Sequence, residues 1–343
     1  MKAFWDPVQL DHAPVFFLQR GLVRPNFEVA ARAQALVEAC RRLGMDLLRP
    51  EPATRAALEA VHDAGYLDFL RDGPAAWAAL PEHGGELVPN IHPSPEMIAN
   101  GARASGTIIG QVGWYTADTS CPIAAATWPA AAAAAAGALA AADEAAAGRH
   151  AYALARPPGH HAYAARAGGH CYLNNAALAA ERLSAAGARV AVLDIDSHHG
   201  NGTQGIFWER GDVFFASVHG DPNGYYPWYV GHAGERGAGA GESCTLNLPL
   251  ARGSGDAEWL AAVAAGLAAI RAWGAEALVV SLGFDASCDE PLGYLAVSED
   301  GFARAGAAIG GLARPVAIVQ EGGYNSGIIG GLLARFIGGF RFG

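Results

Sequence analysis

Asp194-Ile195-Asp196-Ser197-His198-His199 directly follows the apolar run 190–193. A short apolar run ending in acids reads as a buried parallel strand that delivers ligands at its C-terminal end. Alternation along a strand turns Asp194, Asp196 and His198 the same way. Two carboxylates and an imidazole on one face, with no matching positive charge nearby in sequence, suit a divalent metal. The next residues, Gly200-Asn201-Gly202-Thr203, tighten the backbone where those side chains converge.

A second cluster, Arg156-Pro157-Pro158-Gly159-His160-His161, follows the apolar run 151–155. Adjacent histidines do not share a face in a helix or strand. In a loop fixed by proline and glycine, both can line a cleft. A stiff mount is what a general base needs, because misplacement by about 1 Å costs on the order of a hundredfold in rate. Two more apolar runs behave alike: 276–282 runs into Gly283-Phe284-Asp285, and 315–320 into Glu321-Gly322-Gly323-Tyr324. Open parallel α/β sheets gather their sites from several loops at the C-terminal ends of strands.

In order and spacing across 151–325, these segments and Gly169-His170-Cys171-Tyr172-Leu173-Asn174-Asn175 resemble the zinc-dependent histone deacetylase superfamily. Weaker agreement extends upstream through Val61-His62-Asp63-Ala64-Gly65-Tyr66-Leu67 and Thr127-Trp128. Within the superfamily the chain resembles the bacterial acetylpolyamine amidohydrolases and class II-type deacetylases. Asn201 favours that branch, since class I enzymes usually carry Asp there. The resemblance implies an α/β arginase/deacetylase fold: a single domain with a mostly parallel eight-stranded sheet flanked by helices. It implies Asp196, His198 and Asp285 as ligands of one catalytic Zn2+ per chain, leaving positions for water and a carbonyl oxygen. The same donor set also accepts Mn2+ or Fe2+.

The resemblance further implies that His161 is the general base and acid, with His160 electrostatic. Asp194 is placed to orient one histidine and Asn201 the other. An Asp partner raises imidazole basicity by its charge, whereas Asn only fixes the tautomer, so the two should titrate differently. Tyr324 is expected to donate its hydroxyl to the oxyanion opposite the zinc. A structural K+ is implied on backbone carbonyls of Asp194, Asp196, His198, Ser217 and Val218. His199 is expected to serve packing or hydrogen bonding.

His170 and Tyr226 match the walls of the substrate tunnel, with Gly169 beside the first and Leu292 in the same pocket. The first wall is usually Phe or Tyr. Histidine here either makes a partly polar wall, suited to an amine-bearing substrate, or packs as a neutral ring. Asp118 and Glu290 are candidates for holding a substrate's ammonium or backbone, or are solvated surface acids.

The 343 residues suffice for one large α/β domain, taken as 1–343. A formal charge of −10 without a Lys/Arg-rich block argues against nucleic acid and mildly favours cationic ligands. Five cysteines without a CxxC pair read as reduced thiols in a cytoplasmic protein. The N-terminus lacks an apolar signal core. The alanine-rich stretch 130–147 is interrupted by Gly137 and closed by Asp143-Glu144. With Thr127 as a candidate cap and Pro129 in the first turn, it reads as a soluble helix, with no membrane partner.

Strands are expected at 1–5, 151–155, 189–195, 213–218, 244–249, 277–282 and 315–320. Helices are expected at 27–43, 52–70, 129–147, 174–186, 256–273 and 299–312, giving a doubly wound pattern. Residues 81–123 read as a long loop insertion, and such loops are usually functional or oligomeric. The resemblance assigns it to a homodimer contact that narrows the active-site entrance.

The favoured reading is hydrolysis of a small acetylated amine, such as acetylputrescine, acetylcadaverine or acetylspermidine. The alternative is a class II-like acetyl-lysine deacetylase. A distant third, an arginase-like ureohydrolase, needs two Mn2+ ions and further paired acids. Residues 281–289 lack those acids. A non-catalytic metal-binding protein is disfavoured because every role is filled.

Overall fold

A computed structural model describes residues 1–343, the side chain of Phe342 excepted. Its strands are β1 (Lys2–Phe4), β2 (Phe16–Gln19), β3 (Leu22–Pro25), β4 (Asp46–Leu48), β5 (Ala151–Ala153), β6 (Val190–Asp194), β7 (Val213–Gly220), β8 (Thr245–Leu250), β9 (Ala277–Leu282) and β10 (Val316–Gln320). Among the described residues, eight of them form one sheet in the order β4-β1-β5-β10-β9-β6-β7-β8. Every pairing in it is parallel. The other two make an antiparallel hairpin.

The central strands β5, β10, β9, β6 and β7 are buried along their whole length. Both faces are covered, which is why these segments read as continuous apolar runs. In β9, Leu278, Val280 and Leu282 face one core layer while Ala277 and Val279 face the other. The helices Ala30–Arg42, Asp256–Trp273, Glu299–Gly310 and Ile329–Phe342 close the first layer. Ala64–Ala78, Thr127–Ala146 and Asn175–Ala185 close the second.

Several expectations change in detail. The helix expected at 52–70 is two, Arg55–Glu59 and Ala64–Ala78. Each has its own cap: Thr54 accepts from Ala57 N at 3.2 Å and Asp63 from Tyr66 N at 3.1 Å. Thr127 is the first helical residue rather than a cap, and its Oγ1 accepts from Ala124 N at 2.9 Å. The stretch 81–123 holds two short helices, Pro95–Ala99 and Ile108–Tyr115. Its Leu87, Ile108 and Tyr115 are buried, whereas Ile91, Met97, Ile98 and Ile109 are exposed.

Strands β2, β3 and β4 and the helix Asn201–Phe207 carry too little pattern to be anticipated, whereas the unanticipated helix Ile329–Phe342 does place Ile329, Leu332, Leu333, Phe336, Ile337 and Phe340 at helical spacing on its buried face. The hairpin strand β3 is exposed throughout, and the two helices are rich in glycine. Among the described residues no helix is long and apolar enough to cross a membrane.

Candidate active site

Strands β5, β10, β9 and β6 are consecutive in the sheet, so the turns that leave their C-terminal ends converge. β6 ends at Asp194. Alternation therefore carries only that far, and Asp196 and His198 are aimed by the turn beyond it. There, ligand atoms of Asp196, His198 and Asp285 all lie within 4.8 Å of one another. His198 Nδ1 is 3.0 Å from Asp285 Oδ2 and 3.2 Å from Asp196 Oδ1. Backbone donors fix the remaining oxygens: Gly322 N to Asp196 Oδ2 and Ser197 N to Asp285 Oδ1, each at 2.8 Å. A Cβ on Gly322 would sit 2.3 Å from Asp285 Oδ2 and 2.5 Å from Asp196 Oδ2, so only glycine leaves room there.

Both carboxylates are wholly buried. Burial and the neighbouring Asp196 charge push the Asp285 carboxyl above its ordinary range. Two buried acids facing each other across imidazoles alone are costly. A divalent cation fits this donor set and would relieve that cost. A second group, His160, Cys171 and Glu321, also has ligand atoms within 4.8 Å of one another. It suits a metal poorly, because burial holds the Cys171 thiol far above its usual range.

The tandem histidine rings lie tilted by 41° with centroids 4.0 Å apart. His160 Nδ1 is 2.9 Å from Asp194 Oδ2, and His161 Nδ1 is 2.6 Å from Asn201 Oδ1. Asn201 Nδ2 donates to the Tyr163 hydroxyl at 3.0 Å, which turns the amide oxygen toward His161. His161 thus donates from Nδ1 and keeps Nε2 as an acceptor. Burial disfavours charge on His160, but Asp194, Asp196 and Glu321 outweigh it and raise the imidazole to about 10. Burial also lowers His161, reinforced by repulsion from His160 and His198. The two rings differ in the direction that their Asp and Asn partners imply.

Tyr324 is buried, and burial keeps its hydroxyl protonated. Its loop is held from several sides. Arg32 lies over the ring, 4.8 Å from its centroid. The same guanidinium donates to the carbonyls of Gly323 and Glu321 and pairs with Glu28 at 2.6 Å. Glu321 Oε2 accepts from Gly159 N at 2.6 Å and His160 N at 3.1 Å, tying this loop to the histidine loop. Glu290, expected at the substrate, faces this loop instead: it accepts from Tyr324 N at 2.9 Å. It is buried and does not line the cavity, so it orders the tyrosine loop.

A cavity of about 550 Å³ is lined by His161, His198 and Tyr324 together with Gly169, His170, Tyr226, Leu292 and Asp118. Any side chain at Gly169, where φ is +49°, would meet the His161 ring, with Cβ 2.4 Å from Cδ2. His170 packs edge-on to Phe17 at 5.3 Å, and burial lowers its imidazole to about 4. It is a neutral wall at ordinary pH. Tyr226 stands edge-on to His161 at 4.8 Å and donates its hydroxyl to Asp118 Oδ2 at 2.6 Å. Ser217 pairs with Asp194 across β6 and β7, with Val218 next to it. His199 packs against Phe215 and His219.

Arg32, Glu28 and Tyr163 were not anticipated from the sequence. The available signal was a charged pair spaced i,i+4 beside the apolar face of the first helix.

A family model describing the histone deacetylase domain matches residues 26–339. The chain belongs to the histone deacetylase family. Acetylpolyamine amidohydrolase of Burkholderia pseudomallei (strain 1710b) is 44% identical over 342 residues, covering 99% of this chain and 98% of that protein. The Mycoplana ramosa protein of the same name is 41% identical over 325 residues, 94% of each chain. Histone deacetylase 15 of Arabidopsis thaliana is 38% identical over 217 residues, 62% of this chain and 39% of the plant protein. A crystal structure of acetylpolyamine aminohydrolase from Burkholderia pseudomallei superposes with a TM-score of 0.95 at 44% identity, covering 99% of this chain and 98% of that one. The fold is the single α/β domain expected.

Proposed function

We propose that this protein is a zinc-dependent amidohydrolase that removes acetyl groups from small acetylated polyamines. The observation that carries the reaction is that His198 of the Asp196–His198–Asp285 group, His161 of the two oppositely tuned histidines and the buried Tyr324 all line one cavity. The substrate class rests on end-to-end similarity to proteins named for acetylpolyamines.

Asp196, His198 and Asp285 would hold the zinc, which when bound supplies Lewis acidity toward the amide carbonyl and a water. His161 Nε2 takes the proton of the attacking water and later delivers it to the leaving nitrogen. His160, held protonated by Asp194, supplies fixed positive charge beside it. The Tyr324 hydroxyl donates to the oxyanion as the carbonyl becomes tetrahedral. The C–N bond then breaks, giving acetate and the free amine. Tyr324→Phe should lower kcat by roughly 10²-fold or more with little change in KM. Stopped-flow or steady-state rates near wild type would remove the hydroxyl from the mechanism.

A structural K+ beside Asp194 belongs to the same reading. Among the described residues no hydrogen bond ends on the carbonyl oxygens of Asp196 or His198, leaving both available to an ion. The unpaired cysteines support a reducing, cytoplasmic setting.

We further place a homodimer contact on the insertion at 81–123. Ile91, Met97, Ile98 and Ile109 expose apolar surface, and the chain that follows them, at Asp118, Thr119 and Ser120, lines the cavity. A two-fold pairing would cover the apolar face and narrow the entrance. The test compares kcat/KM for acetylputrescine, acetylcadaverine and N8-acetylspermidine with an acetyl-lysine peptide, alongside sedimentation. The small amines should win in a dimer, and Ile98→Asp should yield monomers with a weaker preference. Equal turnover of folded acetylated histones, or a wild-type monomer at micromolar concentration, would sink this account of specificity.

A further inference from the structure

The charge at the cavity mouth does not match an acetylated diamine alone. The protein carries a formal charge of −10, yet Asp118 is the one carboxylate among the lining residues, and Arg20 and Arg252 line the same cavity. Arg20 sits at the tip of the β2–β3 hairpin. With Gly21 it forms a two-residue turn with φ values of 53° and 74°, a tight connection that fixes where the side chain leaves the backbone. Arg252 follows β8 and lies over the ring of Tyr294, 4.6 Å from its centroid. Tyr294 stacks on Tyr225 at 4.5 Å, and Tyr225 on His198 at 4.4 Å. An aromatic ladder thus connects this arginine to the metal-binding group.

Other arginines of the chain are engaged by acids, as at Arg49, Arg55, Arg149, Arg182 and Arg210. Among the described residues, neither Arg20 nor Arg252 has a carboxylate within ion-pairing distance. Asp118 is held by Ser120 N at 2.7 Å, Gly169 N at 3.1 Å and the Tyr226 hydroxyl at 2.6 Å. Three donors leave a carboxylate about one more acceptor position. The mouth therefore offers one anionic acceptor and two unpaired guanidinium groups.

An acetylated diamine brings a single distal cation. It satisfies Asp118 and leaves the two guanidinium groups facing a like charge. A free amino acid acetylated on its side-chain nitrogen brings both signs at its far end. A lysine inside a peptide brings neither, because both α groups are amides. We propose that the protein also hydrolyses free Nε-acetyl-lysine and similar ω-N-acetylated diamino acids, with Asp118 binding the α-ammonium and Arg20 and Arg252 the α-carboxylate. The inference rests on the deacetylase reading above. The chemistry is unchanged: the water oxygen bonds to the acetyl carbon, the C–N bond breaks, its nitrogen takes the proton, and acetate and lysine leave.

Nε-acetyl-L-lysine and N-acetylcadaverine differ only by the α-carboxylate, so their kcat/KM ratio isolates the group in question. In the wild-type chain at low ionic strength, the amino acid should be used at least as well as the diamine. In the double variant Arg20→Ala/Arg252→Gln the ratio should fall roughly tenfold or more, as expected for lost charge-assisted hydrogen bonds. Salt should shrink the difference, and Nε-acetyl-lysine amide should behave as the diamine does. A wild-type preference for acetylcadaverine above tenfold, or a ratio unmoved in the double variant, would overturn the inference while leaving the deacetylase intact. Turnover of neither compound would take the deacetylase reading down with it.

Discussion

Asp285→Asn is expected to lose bound metal and hydrolysis together, by the largest factor of any single change to the site. The substitution keeps the shape of the side chain but removes an anionic donor from a group whose ligand atoms lie within 4.8 Å of one another. A readout independent of activity is the stabilisation that the metal confers: added zinc should raise the melting temperature of chelated wild type more than that of the chelated variant. Metal analysis of active wild type should give one ion per chain. Full activity in demonstrably metal-free wild type would end the proposed mechanism.

His161→Ala should cost more than His160→Ala. Positioned general bases contribute roughly 10²–10⁴-fold. Asn201 orients the His161 ring without adding charge, and burial and two neighbouring imidazoles lower its affinity for a proton. The base form therefore persists below the ordinary imidazole value, and the acid limb of kcat/KM should lie below 6.5. His160 is held protonated against Asp194, so its loss removes a charge but no proton acceptor. Small and equal losses from both variants would mean that another group takes the proton.

The parallel sheet was readable from sequence because its central strands are buried on both faces and so appear as uninterrupted apolar runs. The side chains proposed to react could be picked out for a related reason: each stands within a few residues of such a run. Apart from the amphipathic helix Ile329–Phe342, what escaped lacks a local pattern. Glu290 looked like a rim acid, but it is bonded to Tyr324 N, a contact between loops that sequence spacing does not encode. Within 81–123, expected as a dimer contact, Leu87, Ile108 and Tyr115 are core, whereas Ile91, Met97, Ile98 and Ile109 are exposed. In a short amphipathic segment, sequence marks the apolar positions but not which layer they meet. Arg32 was the hardest case, since a charged residue in an amphipathic helix ordinarily faces water.

Arg32 also bears on how the enzyme is assembled. The histidines, the acids proposed to bind metal and the tyrosine all lie beyond residue 155. Yet the carbonyls of Glu321 and Gly323 are gripped by a side chain 289 and 291 positions earlier. The proposed catalytic apparatus is thus two-ended. A fragment beginning just before the first histidine would contain every reacting group and still lack the clamp that seats its tyrosine.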